Sequence, residues 1–190
     1  MDMNKYWDKG IDYTTYLNEA QTKIEDLKIN DKEHPYFNYY ELGLTRMQRV
    51  NKTYTPHPTH LELLKNKNWK GKILIISEAW CGDAAMIVPV IAKFFEGHNE
   101  VKIVYRDENE ELINQYLTNG GKSIPIVLIL NENNEVISHW GPRPKHGMEL
   151  LKRYKEDPEN YNADQFHNDL QIYYTKNKGQ DIIDELLEKI

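Results

Sequence analysis

Cys81 is the one cysteine in 190 residues, and it stands in Trp80-Cys81-Gly82-Asp83, where an apolar run gives way to a helical pattern. A single thiol excludes an intramolecular disulfide, a CxxC redox pair and any multi-cysteine zinc site, so a covalent partner must come from outside the chain. A cysteine at a helix N-terminus feels the partial positive charge of unpaired amides, which favours thiolate. Asp83 in the same turn and Glu78 three residues earlier oppose this, because nearby carboxylates raise a thiol pKa. The competing reading is a small buried hydrophobe. Histidine offers little beside it: the only close spacing is His57-Pro58-Thr59-His60, with Pro58 suited to the first turn of a helix, and no metal site is expected.

The elements that would hold Cys81 follow from periodicity. Asp12 reads as the N-cap of a helix carrying Tyr13, Tyr16, Leu17, Ala20, Ile24 and Leu27 at spacings of three and four. A second helix starts at Pro35 with Tyr36, Tyr40, Leu44, Met47 and Val50 on one stripe, read as core contact rather than a ligand site. A brief third follows with Leu61, Leu63 and Leu64. Ile73 to Ile76 is continuously apolar, as a strand covered on both faces would be. A helix over 81–95, a strand over 101–105 and a helix over 108–117, closed by Gly120-Gly121, complete a βαβ unit with parallel strands. Ile124 to Leu130 and Val136 to Trp140 form an antiparallel hairpin across Asn131-Glu132-Asn133-Asn134. Met148, Leu151 and Tyr154 mark a short helix. Phe166, Leu170, Tyr173, Ile183, Leu186, Leu187 and Ile190 mark a long one, bent near Lys178-Gly179. Cys81 therefore sits at the carboxyl end of a central strand, where open α/β sheets bind ligands.

Ala79-Trp80-Cys81-Gly82-Asp83-Ala84-Ala85-Met86-Ile87-Val88-Pro89 resembles the thioredoxin active-site segment, W-C-G-P-C followed by a helix with a proline. Pro89 stands where the family has its kink proline, Ser123-Ile124-Pro125 where it has a cis-proline, and Gly141 where its last strand ends. The resemblance covers about residues 70–155, and Gly-Gly-Lys-Ser-Ile-Pro with Trp-Gly-Pro-Arg-Pro is similar to bacterial thioredoxin-like proteins with an added N-terminal helical segment. It implies an α/β thioredoxin-like fold, a central mixed sheet of about four strands flanked by helices. The expected single domain divides into a helical extension at 1–56, a core at 57–155 and a second helical extension at 156–190.

Two departures shape the functional expectation. Ala84 occupies the place of the family's second cysteine, and Ile75 that of its buried carboxylate, which serves the missing thiol. The dithiol cycle is therefore closed to this chain. What remains is the surface that positions a nucleophile and a client: Trp80, Cys81, Gly82, the peptide before Pro125, and the loop at Gly141. The basic residues Arg106, Lys122 and Arg143 would face the cysteine side and together could hold a carboxylate or phosphate. The resemblance thus implies a monothiol oxidoreductase, with Cys81 attacking a disulfide or sulfenic acid of a client protein. A low-molecular-weight thiol such as glutathione or bacillithiol would release it, and no other cofactor is expected. The alternative is a non-catalytic binding module or redox sensor on the same scaffold. A one-cysteine peroxidase fits less well, for want of a Thr-x-x-Cys arrangement.

Composition limits the partners. Apolar types make up 39% of residues and charged types 28%, enough for a packed core. With 24 basic against 30 acidic residues the net charge is −6, which as a whole attracts neither nucleic acid nor an anionic membrane. No apolar run reaches the roughly 18 residues of a membrane span, and the segment Met1 to Asp8 lacks a signal-peptide core, so a cytoplasmic location is expected.

Overall fold

The alternation of apolar residues along β1 (Lys72–Ser77) assigns the two faces of the sheet. In this computed structural model, which describes residues 2–190, Ile73 and Ile75 join one apolar cluster while Leu74 and Ile76 join the other. All four are fully buried, as expected of a strand covered on both sides. β1 pairs in parallel with β2 (Val101–Tyr105) and antiparallel with β3 (Ile126–Leu130). β3 pairs antiparallel with β4 (Val136–Trp140), giving the order β2-β1-β3-β4.

On one face Leu74, Ile76, Val104, Ile126 and Leu128 pack with Tyr6 and Trp7 of α1 (Asn4–Lys9) and Leu112 and Ile113 of α6 (Glu110–Ile113). The other face is thicker. α5 (Ala84–Phe95) lies directly on it, and α2 (Tyr13–Asn30), α3 (Phe37–Thr53) and α4 (Pro58–Lys67) pack around α5 from the N-terminal side. α7 (Lys145–Glu156), α8 (Ala163–Asn177) and α9 (Gln180–Leu187) close the C-terminal side. Asp12 caps α2 as expected, accepting the Thr15 amide at 2.8 Å. Asn162 and Gln165 form a reciprocal capping box on α8.

Several expected boundaries shift. The helix expected over 81–95 begins at Ala84, because Glu78 to Asp83 form turns, leaving Cys81 three residues ahead of it. The helix expected over 108–117 is a single turn. Once Leu112 and Ile113 are buried, the chain must double back to β3, and a bridge between Thr118 and Gly121 makes that reversal, with Asn119 and Gly120 left-handed. α3 begins two residues after Pro35, and β3 at Ile126 rather than Ile124. The long C-terminal helix is two helices, since both Lys178 and Gly179 adopt positive φ and end α8. On α8 the buried stripe is Phe166, Leu170 and Tyr174, at spacings of four; Tyr173, expected there, is only half-buried. Tyr36, assigned to the core, is 41% exposed.

Candidate functional site

The turn from Glu78 to Asp83 leaves the carboxyl end of β1 and presents Cys81 over α5. The sulfur is half-buried, and its thiol donates to the Ile124 carbonyl oxygen at 3.5 Å. Ile124 and Pro125 are buried on the segment entering β3, joined by a cis peptide bond. Gly141 closes the same edge. A methyl group there would lie 2.3 Å from the Pro125 carbonyl oxygen, and its φ of 120° is one that L side chains rarely adopt, so only glycine fits. Ala84, in the second-cysteine position, is 1% exposed at the first turn of α5, and Ile75 is fully buried in the sheet. Ser123 is half-buried beside Ile124.

The opposing influences on the thiol resolve upward. Burial comes first and the Asp83 carboxylate second, and together they push the Cys81 thiol up to about 11. The amides of Ala84 and Asp83 and the Arg143 guanidinium pull the other way and are outweighed. Glu78 has a different role from the expected one beside the sulfur. Its carboxylate accepts the Asp107 amide at 2.9 Å, and burial raises its pKa to about 7. Cys81 at rest is an uncharged thiol.

Asp83 is 7% exposed and is the best-partnered group of the site. Arg143 reaches one carboxylate oxygen at 2.6 Å and the Tyr174 hydroxyl donates to the other at 2.7 Å. The Arg143 Nε is buried without a partner. Arg46 of α3 approaches the same turn: a methyl on Gly82 would lie 3.0 Å from its Nη1. α3 also abuts the turn through Gly43, where a methyl would lie 2.4 Å from the Ala79 carbonyl oxygen. The N-terminal helices thus flank the cysteine turn as well as the sheet.

The expected basic cluster is not assembled as a free anion site. Arg143 is held by Asp83, Lys122 by Glu110, and Arg106 by Asp107 at 2.8 Å. Arg106 also donates to the Lys122 carbonyl at 3.3 Å and lies 5.0 Å from the Trp80 ring. Each cation was expected just beyond a strand end or beside Pro125 and free to meet an anion, and each is instead paired with a carboxylate of the chain. Trp80 stacks on Tyr36 with ring centroids 4.6 Å apart and an interplanar angle of 12°. Tyr36, Arg46 and Tyr174 belong to the surroundings of the site but were not singled out for it from sequence. Only Tyr174 left a usable signal, its place four residues after Leu170 on the buried stripe. His60 pairs with Asp184 at 2.8 Å, and among the described residues no cluster of potential metal ligands occurs. Among those residues no helix is long and apolar enough to cross a membrane.

Comparison with known proteins matches this arrangement to one family. Residues 30–155 match the family described as thioredoxin, a span that takes in α3 and α4 as well as the sheet. The chain is 34% identical over 74 residues to the thioredoxin of Alicyclobacillus acidocaldarius, covering 37% of this chain and 68% of that protein. It is 36% identical over 75 residues to the thioredoxin of Bacillus subtilis, covering 38% and 69%. Thioredoxin 1 of Nostoc sp. is 38% identical over 69 residues, and the chain spans 62% of its length. Two solved structures share the fold. One is an HIV epitope-scaffold, with a TM-score of 0.53 and 17% identity over 93% of this chain and 97% of that one. The other is a protein of unknown function from Pseudomonas aeruginosa, with a TM-score of 0.51 and 19% identity over 87% and 92%. On the sheet order, the placement of Cys81 and these matches, the chain belongs to the thioredoxin family.

Proposed function

We propose that this protein performs thiol-disulfide exchange through Cys81 alone. The observation that carries the reading is the juxtaposition of the Cys81 sulfur with the Ile124 carbonyl at 3.5 Å, which sets a nucleophile beside a backbone edge where a client strand can align. In the first step the Cys81 thiolate attacks one sulfur of a client disulfide. A mixed disulfide forms and the other client sulfur leaves as a thiolate, which takes up a proton. In the second step the thiolate of a small thiol, of the glutathione or bacillithiol type, attacks the client-derived sulfur. Cys81 is released and a new disulfide carries away the two electrons' worth of oxidation. Ala84 at the second-cysteine position makes the external thiol obligatory.

A specific observation favours a second reading, a binding module in which the surface around Trp80 grips a protein partner without exchange. With the thiol pushed up to about 11, only about one sulfur in ten thousand is thiolate at pH 7. The deciding experiment incubates the protein with glutathione disulfide and follows the mixed disulfide by intact mass, with Cys81→Ser as the blank. Exchange at neutral pH faster than that of a free small thiol, reversed by added glutathione, supports catalysis. Exchange no faster than that reference, with Cys81→Ser retaining a partner, establishes the binding module instead.

A further inference from the structure

The helices on the α5 face leave between them a cavity of about 280 Å³, lined in part by Tyr174, whose hydroxyl holds Asp83 of the cysteine turn. Its apolar wall is Val50 of α3, Met86 and Val90 of α5, and Ile182 of α9. That volume lies at the lower end of small-molecule sites, which begin near 300 Å³, so the ligand it suits is compact.

Two further features separate the cavity from a packing defect. The first is Tyr54, which lines it, is 7% exposed, and has a buried hydroxyl with no hydrogen-bond partner. Buried phenolic hydroxyls ordinarily find a partner, because leaving one unsatisfied forfeits its hydration with nothing in return. The second is charge. Arg49 and Lys178 also line the cavity, and among the described residues neither side chain enters an ion pair, whereas Arg106, Lys122 and Arg143 near the cysteine all do. Lys178 reaches this place because α8 ends there in a left-handed turn, with Gly179 packed so closely that a methyl would lie 2.7 Å from Val90.

We propose that this cavity binds a small organic anion with an apolar tail, of the medium-chain alkyl carboxylate class. The tail displaces water from Val50, Met86, Val90 and Ile182, the carboxylate meets the unpaired cations Arg49 and Lys178, and the Tyr54 hydroxyl gains an acceptor. An uncharged tail alone leaves both cations unused, and a cationic amphiphile is repelled by them, so the charge of the lining selects the class. The site requires nothing of Cys81.

The test titrates the full chain with octanoate by calorimetry, with octan-1-ol and octylamine as uncharged and cationic comparators. Octanoate is expected to bind one per chain, about tenfold tighter than octanol, with no binding of octylamine. The double variant Arg49→Gln, Lys178→Gln alters two exposed side chains, and should erase the preference for octanoate over octanol with an unchanged melting temperature. Tyr54→Phe should weaken octanoate roughly fivefold or more, while the ligand-free protein melts at the same temperature or higher, since the substitution removes an unpaired buried hydroxyl. No octanoate binding at millimolar concentration, equal affinity for octanol, or a lower melting temperature in ligand-free Tyr54→Phe would each overturn the proposal. Because every readout is binding or melting, failure here is distinct from failure of thiol exchange.

Discussion

The Tyr174 hydroxyl donates to the Asp83 carboxylate at 2.7 Å across 91 positions of sequence, tying a C-terminal helix to the turn that bears the thiol. Arg143 takes the other carboxylate oxygen. Asp83 is thereby held, buried, in the cysteine turn, and it is the second cause of that thiol's raised pKa.

Asp83→Asn tests this relationship. The amide oxygen still accepts from Tyr174, but the repulsion on the thiolate is gone and Arg143 is left as an unpaired cation. Alkylation of the wild type by iodoacetamide should rise about tenfold per pH unit from 7 to 10, as required when the thiol is pushed up to about 11. In Asp83→Asn the rate at pH 7 should rise roughly tenfold or more, for a pKa lower by about one unit. Breaking a buried ion pair from one side should also lower unfolding stability by about 3 kcal/mol, read by urea denaturation. An unchanged alkylation rate would remove Asp83 from control of the thiol.

Gly43→Ala sets two magnitudes against each other. Alanine in the middle of α3 gains up to about 1 kcal/mol of helix propensity over glycine. The methyl, however, would stand 2.4 Å from the Ala79 carbonyl oxygen, a backbone atom of the cysteine turn that cannot swing aside as a side chain would. Overpacking of this kind costs about 1–3 kcal/mol, so the clash should win and the net change be destabilising, with faster Cys81 alkylation as the turn is pushed away from α3. A melting temperature above that of the wild type would show that α3 does not bear on the turn.

Glu78 predicts a pH dependence of stability. Burial raises its folded pKa to about 7, above the unfolded value near 4.5, so the folded state holds more protons between those limits. Its contribution is fully present below about pH 4.5 and is lost as pH rises through about 7. The loss is about 3 kcal/mol at most for a shift of this size. Urea midpoints measured from pH 5 to 8 should fall in the wild type and fall less in Glu78→Gln. Parallel profiles for the two proteins would exclude Glu78 as the source.

Tyr36→Ala should release Trp80. The stacked pair contributes about 1 kcal/mol where buried, and with Tyr36 41% exposed the global loss should be smaller. The sensitive readout is the Trp80 indole N–H resonance, expected to move, while Trp7 and Trp140, buried elsewhere in the core, stay in place.

The strands and most helices were legible because burial period is a local property, set by which residues share a face within one or two turns. Ile73 to Ile76 announced a doubly covered strand, and Asp12 announced a cap, from neighbours alone. Boundaries failed where distant demands prevailed. The turn that sets Cys81 outside α5 meets Gly43 of α3 and is held at Asp83 by Arg143 and Tyr174, and the reversal that cuts α6 to one turn answers to β3. Tyr36 followed the helical stripe yet sits on the surface, because α3 starts one residue later and leaves it outside the helix, where it stacks on Trp80.

By itself the sequence determined that one thiol stands at the end of a central strand, that no second thiol of the chain can resolve it, and that the sheet is doubly covered. Only the tertiary structure decided what that thiol is like. Its acidity depends on burial and on a carboxylate two residues away, whose own partners, Arg143 and Tyr174, arrive from distant elements. Periodicity records which face of an element is covered, but electrostatics at a few ångströms depends on which charges the folded chain brings together. No local pattern encodes that.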